Sequence, residues 1–248
     1  MSQQITEARL TATEVGKYGQ DGYLLFHQPV FNGNQFARLK AIFEENLAQY
    51  GEDNLDTIHF RDARLLEFLL SDEVLDLVEP VIGPNIGLWS SHFISKSAGV
   101  GKATPWHEDS AYWNGRISTM NGICTVWLAL DDVDAENGAM KVIPGSHVNG
   151  YSDYEAIDAA HNIFDRQILP EQVPLDKAVT FDLKASEASL HEARIIHGAD
   201  ANTSLRRRAG YTMRYFPTSS TVFADKNPGH RIWLARGQDL GNNSFENA

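Results

Sequence analysis

Short apolar runs separated by turn-forming residues fill the chain from Ile86 onward, and this pattern restricts the fold more than any other feature. The runs predict strands at 87–95, 122–133, 139–143, 178–183, 188–196 and 209–216. Gly, Pro, Asn and Asp between the runs supply the turn chemistry that successive strands need. Such a series indicates an antiparallel jelly roll of two sheets, which can hold a ligand between the sheets.

The chain before these strands has the periodicity of helices. Thr11 and Glu14 have the spacing of a capping box and predict a short helix that ends near Gly19. A second helix is expected at 34–50, where apolar residues recur along one face. Two more are expected at 62–70 and 71–82, the latter stopped around Gly83.

These elements are consistent with one domain. The chain has 248 residues, and single β-sandwich or barrel domains of about 200–250 residues are common. We expect a mainly helical part at 1–85, a jelly-roll core at 86–217 and a C-terminal tail at 218–248, whose Trp233 either docks on the core or stays exposed. The predicted fold class is mainly β with flanking helices: a double-stranded β-helix, or cupin-like jelly roll.

Composition excludes some classes of function. The formal net charge of -12 argues against a nucleic-acid partner, which would require a basic surface. A single cysteine, Cys124, allows no intrachain disulfide and agrees with a reducing compartment. Residues 1–7 lack the basic and apolar regions of a signal peptide, and no apolar run is long enough to span a membrane. We therefore expect a cytoplasmic protein, either a monomer or a homo-oligomer.

Three side chains have the chemistry of a metal site: His107, Asp109 and His197. Two imidazoles and one carboxylate can occupy one face of an octahedral metal and leave the other face open. With nine histidines and 33 acidic residues in the chain, about one His-x-acidic triplet is expected by chance, so the motif alone is weak. Residues two apart in a strand point to the same face, which would let His107 and Asp109 converge while aromatic neighbours surround them.

Several ordered motifs carry a resemblance to a known family. They are the segment W-H-x-D-x-x-Y-W at 106–113, W-L-A-L-D-D at 127–132, N-G-A-M at 137–140, V-I-P-G-S-H at 142–147, and S-L-H at 189–191 leading through H-G-A-D-A-N at 197–202 to Arg208. Together they resemble the phytanoyl-CoA dioxygenase-like (PhyH) family of Fe(II)/2-oxoglutarate-dependent oxygenases. The resemblance runs from about residue 93 to residue 217.

The resemblance assigns roles to individual residues. It implies that His107, Asp109 and His197 are the iron ligands and that Arg208, eleven residues beyond the distal histidine, binds the far carboxylate of 2-oxoglutarate. A guanidinium suits that role because its planar fork holds a carboxylate with two hydrogen bonds. Trp127 matches a position near the cosubstrate, although a core tryptophan is an equally good interpretation. Strand alternation puts Arg214 on the same face as Arg208, as a weaker substrate or cosubstrate contact.

Two positions depart from the family pattern, and one narrows the chemistry. Glu108 stands where Gln is frequent and Ala199 where Ser is frequent, which puts secondary contacts of the cosubstrate in question. Halogenating relatives have a small residue at the position of Asp109, so this carboxylate argues against halogenation.

Residues that would face the substrate are less defined. Tyr112, Trp113, Arg116 and His191 are the candidates, with a structural role for His191 as the alternative. The segment 149–174 lacks periodicity and is long for a connection, so it is the candidate for substrate selection.

The implied cofactors are Fe(II), with 2-oxoglutarate and O2 as cosubstrates. The implied reaction hydroxylates an unactivated C–H bond of a small-molecule metabolite and releases succinate and CO2. One alternative is a catalytically silent jelly roll that binds a metal or ligand. Another is a family member that performs desaturation, epoxidation or ring closure. Use of a coenzyme-A thioester is not implied.

Overall fold

The computed structural model describes residues 9–158, 160 and 162–247. The helices are α1 (Ala12–Asp21), α2 (Gly33–Tyr50), α3 (Leu66–Leu69), α4 (Asp72–Ile82) and α5 (Ser110–Trp113). The strands are β1 (Tyr23–Phe26), β2 (Ile86–Lys96), β3 (Thr104–His107), β4 (Cys124–Ala129), β5 (Met140–Val142), β6 (Tyr154–Ala156), β7 (Arg166–Ile168), β8 (Val179–Thr180), β9 (Ala188–Glu192), β10 (His197–Ala199), β11 (Arg208–Pro217) and β12 (Trp233–Arg236). The prediction about a signal peptide at 1–7 lies outside the described residues.

Two antiparallel sheets form the body of the fold. The larger has the order β1-β9-β4-β11-β2-β12, and the smaller has the order β3-β10-β5-β8. A separate hairpin joins β6 to β7. Neighbours in each sheet are distant in the chain, as in a jelly roll built from long crossing connections. The predicted mainly β jelly roll with flanking helices is confirmed.

The two faces of the larger sheet differ in polarity, and β11 shows this most clearly. Tyr211 and Met213 belong to the main apolar core, which also includes residues of α2 and α4. Arg208, Thr212 and Arg214, at alternate positions, line a cavity on the other face. Because successive side chains of a strand point to opposite faces, one face of the larger sheet packs against the helices and the other lines the cavity.

The capping box at Thr11 is present, with hydrogen bonds in both directions between Thr11 and Glu14. Helix α1 continues to Asp21 and ends where Gly22 takes the left-handed conformation, not at Gly19 as predicted. The expected helix at 62–70 is instead a 3-10 turn followed by the short α3, whereas α2 and α4 match their predictions. Among the described residues, no helix is both long enough and apolar enough to cross a membrane.

The predicted strand at 188–196 is wrong as a single element. Strand β9 ends at Glu192, the chain turns, and β10 begins at His197 in the other sheet. Ala193, Ile195 and Ile196 in the connection are all buried. Because three of the four residues in the connection are apolar and buried, as strand residues are, the turn has little signal in the sequence.

The C-terminal tail docks on the core. Strand β12 pairs with the edge of β2, and Trp233 lies opposite Leu88. The Trp233 side chain is almost fully buried, and its ring contacts that of His59. The tail therefore completes the larger sheet and covers an edge that would otherwise be exposed.

We predict that Trp233→Ala lowers the free energy of unfolding by about 3–5 kcal/mol, because it removes a large buried side chain. Leu234→Ala, on the same strand but 38% exposed, should cost less than about 1 kcal/mol. Chemical denaturation of the two variants checks this. Equal stability of both variants would show that the tail is not docked in solution.

Candidate metal centre and active-site cavity

Strands β3 and β10 bring two distant histidines together. His107 ends β3, and His197 begins β10 directly opposite it in the antiparallel register. Their ring centroids are 4.1 Å apart. One potential ligand atom from each of His107, Asp109 and His197 lies within 4.8 Å of the others, and all three residues are buried. The arrangement could hold a metal ion.

The Asp109 carboxylate lies near the two histidines, but the strand alternation that the sequence predicted is not what brings it there. Asp109 is not in the strand: its backbone is helical, with φ -55° and ψ -38°, and it precedes α5. The Ser110 amide donates to the Ala193 carbonyl at 2.9 Å and anchors this turn. The carboxylate thereby returns toward His107, with Oδ1 3.8 Å from Nε2. A turn, and not strand alternation, makes the two side chains converge.

Backbone carbonyls orient both imidazoles. Nδ1 of His107 lies 2.8 Å from the Pro105 carbonyl oxygen, and Nδ1 of His197 lies 3.0 Å from that of Ile195. A carbonyl only accepts, so each Nδ1 carries a proton, and in a neutral ring Nε2 then keeps its lone pair for a metal. Burial lowers the pKa of His107 to about 3, which keeps this ring neutral at neutral pH. Neutral, oriented imidazoles are what metal ligation requires.

Asp109 is held ionised by its surroundings. Burial alone would raise its pKa, but Arg214 and then the neighbouring histidines lower the pKa to about 2. The Arg214 Nε atom is 3.5 Å from Oδ2 of Asp109. The carboxylate is therefore charged throughout the physiological pH range.

Arg208 is a buried guanidinium without an acidic partner among the described residues. Its charged group lies over the Trp127 ring, 4.4 Å from the ring centroid, and its Nε atom has no hydrogen-bond partner. Burial lowers its pKa to about 10. Arg206 and Arg207, in contrast, form ion pairs with Asp134 and Asp131 respectively. The three consecutive arginines thus divide into two paired ones and one that faces the cavity.

Gly210, which the sequence reasoning missed, makes room for this contact. It lies between Arg208 and Thr212 on β11, where a Cβ atom would overlap the Trp127 ring. The glycine lets the indole lie flat against the strand and beneath the guanidinium. In the sequence, the only indication of this role was the glycine inside a predicted strand, because such a glycine often marks a place where another group approaches the backbone closely.

One cavity of about 410 Å³ contains the three potential ligands, Trp127 and both Arg208 and Arg214. His191 also lines it, with its ring 5.1 Å from that of His197. The two histidines belong to β9 and β10 of different sheets. They face the same space because the sheets face each other.

Phe164, which was not predicted, lies in the segment 149–174 and closes one side of the cavity. Its ring contacts His107 edge-on at 4.9 Å. The segment contains the β6–β7 hairpin, and its Phe164 packs against His107 of the candidate metal site, although the sequence showed no periodicity there.

The substrate-facing candidates after Asp109 separate in the structure. Tyr112 lies beside the centre, with its ring 6.0 Å from His107 and 5.2 Å from Phe164. Trp113 packs against Trp89 in a separate apolar cluster. Arg116 donates to Asn227 and lies over Trp89. None of Tyr112, Trp113 and Arg116 is among the residues that line the cavity, although Tyr112 lies nearest to it.

Glu108 points away from the cavity and fastens a loop. Its carboxylate accepts from the Ser152 hydroxyl at 2.7 Å, and its backbone amide donates to the Tyr154 hydroxyl at 3.0 Å. Ala199, the second departure from the family pattern, does line the cavity. Glu108 is therefore a structural link to the segment 149–174.

Two histidines and one carboxylate in a buried cavity of a jelly roll define the class of non-haem iron oxygenase sites. Comparison with known proteins agrees with this class. The family model for phytanoyl-CoA dioxygenase (PhyH) matches residues 7–210. The chain belongs to the phytanoyl-CoA dioxygenase family.

Individual relatives are distant. The chain is 26% identical over 240 residues to the L-proline trans-4-hydroxylase of Streptomyces griseoviridis, covering 83% of this chain and 86% of the relative. It is 24% identical to a phytanoyl-CoA dioxygenase domain-containing protein 1 homolog of Caenorhabditis elegans, covering 68% of this chain and only 60% of the relative. The fold is similar to the apo structure of EctD from S. alaskensis, with a TM-score of 0.73, 18% identity and coverage of 98% and 91%.

We predict that His197→Ala weakens Fe(II) binding by more than about 100-fold, a larger loss than removal of an outer partner causes. His27→Ala is the control, because His27 is exposed and pairs with Glu187 far from the cavity. Anaerobic competition with a chromophoric chelator measures the affinity. Unchanged affinity in His197→Ala, with the fold intact, would remove this residue from the metal site.

Proposed function

We propose that the protein is an Fe(II)- and 2-oxoglutarate-dependent oxygenase that hydroxylates an unactivated C–H bond of a small-molecule metabolite and releases succinate and CO2. The observation that carries the proposal is one cavity holding both a buried His-Asp-His cluster and Arg208, a buried guanidinium without an acidic partner. We also propose a cytoplasmic location, because a single buried cysteine suits a reducing compartment.

The donor set suits iron. His107 and His197 offer Nε2 lone pairs, and Asp109 offers an ionised carboxylate. Nitrogen and oxygen donors with an open side are typical of non-haem Fe(II) oxygenases. The remaining cavity volume lies beside this cluster and leaves space for other ligands of the metal. When bound, iron supplies the activation of dioxygen that couples oxidation of the substrate to decarboxylation of 2-oxoglutarate.

The cosubstrate explains the unpaired arginine. A buried guanidinium without a partner is costly, and a carboxylate held by its planar fork would offset that cost. The Nε atom of Arg208 has no hydrogen-bond partner, and Trp127 fixes the orientation of the group. We therefore assign the distal carboxylate of 2-oxoglutarate to Arg208, with the indole of Trp127 packing beside it.

The segment 149–174 would control access. Phe164 covers the edge of the His107 ring, and Arg166 lies 4.5 Å above the ring of Tyr112. Because Glu108 is adjacent to both His107 and Asp109, its hydrogen bond to Ser152 ties this segment directly to the ligands. We propose that the segment excludes water and selects the substrate, with Tyr112 and His191 as nearby contacts.

The alternative of a catalytically silent binding protein would rest on the two departures from the family pattern, Glu108 and Ala199, and the first of these does not support it. Glu108 is not a cavity residue in this structure, so its departure from the family pattern has no direct effect on cosubstrate contacts. At the second position, alanine in place of the family's frequent serine removes only a hydroxyl group from the cavity wall. Succinate formation coupled to O2 consumption distinguishes the oxygenase from a binding protein, and analysis of the product separates hydroxylation from desaturation, epoxidation or ring closure.

We predict that Arg208→Ala weakens 2-oxoglutarate binding by about 2–5 kcal/mol, the usual cost of removing one partner of a buried charge pair. Iron affinity should change little, since Arg208 is not among the potential ligands. Anaerobic calorimetry of the Fe(II)-loaded protein measures both.

The matched control for this experiment is Arg206→Ala, because Arg206 is on the same run but pairs with Asp134 at the surface. It should bind 2-oxoglutarate as the unmodified protein does. If Arg208→Ala binds normally and Arg214→Ala does not, the cosubstrate occupies the other end of the strand.

A further inference from the structure

Arg214 forms an ion pair with Asp109, one of the three potential metal ligands. The Nε atom of Arg214 lies 3.5 Å from Oδ2 of Asp109, and the two side chains are only 11% and 10% exposed. In the part of the chain that the structure describes, Asp109 is the only acidic residue that pairs with Arg214. Because the loss of either partner would leave a buried charge alone, we expect the pair to persist in the folded protein.

The two carboxylate oxygens of Asp109 have different neighbours. Oδ1 lies 3.8 Å from Nε2 of His107, the nitrogen whose lone pair is available to a metal. Oδ2 lies beside the guanidinium of Arg214. A carboxylate can bind a metal through one oxygen or through both. In this site one oxygen faces a candidate metal ligand and the other faces a cation.

Trp113 holds the guanidinium of Arg214 from another side. The charged group lies over the indole ring, 5.3 Å from its centroid, an arrangement that attracts a cation to the ring face. Trp113 is itself buried and packs against Trp89. Asp109 precedes α5 and Trp113 ends it, so both contacts of the guanidinium come from one short turn of the chain.

The cosubstrate does not require Arg214. Arg208 and Arg214 are both on β11, six residues apart. At roughly 3.3 Å per residue, their backbones are about 20 Å apart. A molecule of 2-oxoglutarate is much shorter than this, and the proposed function assigns its distal carboxylate to Arg208. The two buried arginines of the cavity can therefore have separate roles.

We propose that Arg214 is a positioning residue that keeps Asp109 bound to the metal through Oδ1 alone. The ion pair holds Oδ2, and Trp113 holds the guanidinium, so the carboxylate does not turn to offer both oxygens. This inference rests on the proposed function and concerns the coordination that the proposed function needs.

Single-oxygen binding by Asp109 would keep the open face of the metal complete. An octahedral ion with two nitrogens and one oxygen from the protein has three positions left. A second oxygen from Asp109 would occupy one of them and leave fewer for 2-oxoglutarate and dioxygen. The positive charge beside Oδ2 also opposes the approach of a metal cation to this oxygen.

A crystal structure of the unmodified protein with Fe(II) and 2-oxoglutarate, grown without oxygen, tests the proposal directly. We expect Oδ1 to be the only Asp109 atom on the metal and Oδ2 to face Arg214. This measurement needs no variant and so does not depend on the folding of one.

Arg214→Met removes the charge and keeps an apolar side chain against Trp113. We expect 2-oxoglutarate to bind the Fe(II)-loaded variant roughly 10–100-fold more weakly, the usual effect of losing an outer partner of a metal ligand. Fe(II) affinity should fall less than about 10-fold, because Oδ2 becomes an additional donor. Anaerobic calorimetry measures both affinities, and a crystal structure of the Fe(II)-loaded variant should show both oxygens of Asp109 on the metal.

Arg231→Met is the matched control. Arg231 also lies over a tryptophan, 5.0 Å from the ring centroid of Trp233, and pairs with Glu246 at 3.7 Å, but it does not line the cavity. It should bind Fe(II) and 2-oxoglutarate as the unmodified protein does. Arg214→Lys keeps the positive charge and should bind 2-oxoglutarate more tightly than Arg214→Met.

Three results would overturn the proposal. The first is a metal bound by both oxygens of Asp109 in the unmodified protein. The second is a metal bound by Oδ1 alone in Arg214→Met, which would make Arg214 a direct contact of the cosubstrate if affinity for 2-oxoglutarate still falls. The third is equal affinity for 2-oxoglutarate in Arg214→Lys and Arg214→Met. Failure of the unmodified protein to bind 2-oxoglutarate would instead contradict the proposed function, and this inference with it.

Discussion

The pairing of β3 with β10 is the constraint on which the site depends. It places His107 opposite His197 across two short strands of the smaller sheet, although ninety residues separate them in the chain. Neither strand has more than four residues. The position of both ligands therefore depends on the sheet that frames them, and local conformation alone would not fix it.

Buried basic side chains are the second organising feature. Arg208, Arg214 and Lys96 are all buried on or beside β11, and Lys96 lies directly opposite Arg208. Burial, reinforced by Arg208, lowers the pKa of Lys96 to about 6, and its amine is held by the Asp200 carbonyl at 2.7 Å. Of the three, Arg208 is a buried cation without an acidic partner among the described residues, and such a group destabilises a fold. Anions that bind there stabilise the folded protein, so ligand affinity and stability are linked.

The sequence predicted the jelly roll from its series of short apolar runs, and it indicated His107, Asp109 and His197 through several motifs in order, since the His-x-Asp pair alone is weak. Alternating strands, a His-x-Asp pair and a distal His-Gly are each readable in a few residues. Asp109 shows the limit of prediction from the sequence. The two-residue spacing of His107 and Asp109 can bring their side chains together either in a strand or in a turn. The hydrogen bond from Ser110 to Ala193, which joins residues distant in the chain, fixes the turn. Trp113 and Arg116 pack against Trp89 and do not line the cavity, a placement that no local pattern in the sequence indicates. Gly210 and Phe164 act through contacts with distant residues, which no local pattern reveals.

The central claim is that one cavity binds iron and 2-oxoglutarate together. The most direct measurement is the visible absorption of the metal-free protein, titrated without oxygen, first with Fe(II) and then with 2-oxoglutarate. We predict a weak charge-transfer band that appears only when both are present and is absent in His107→Ala. Iron binding without a band on addition of 2-oxoglutarate would contradict the claim and favour a protein that binds a metal for another purpose.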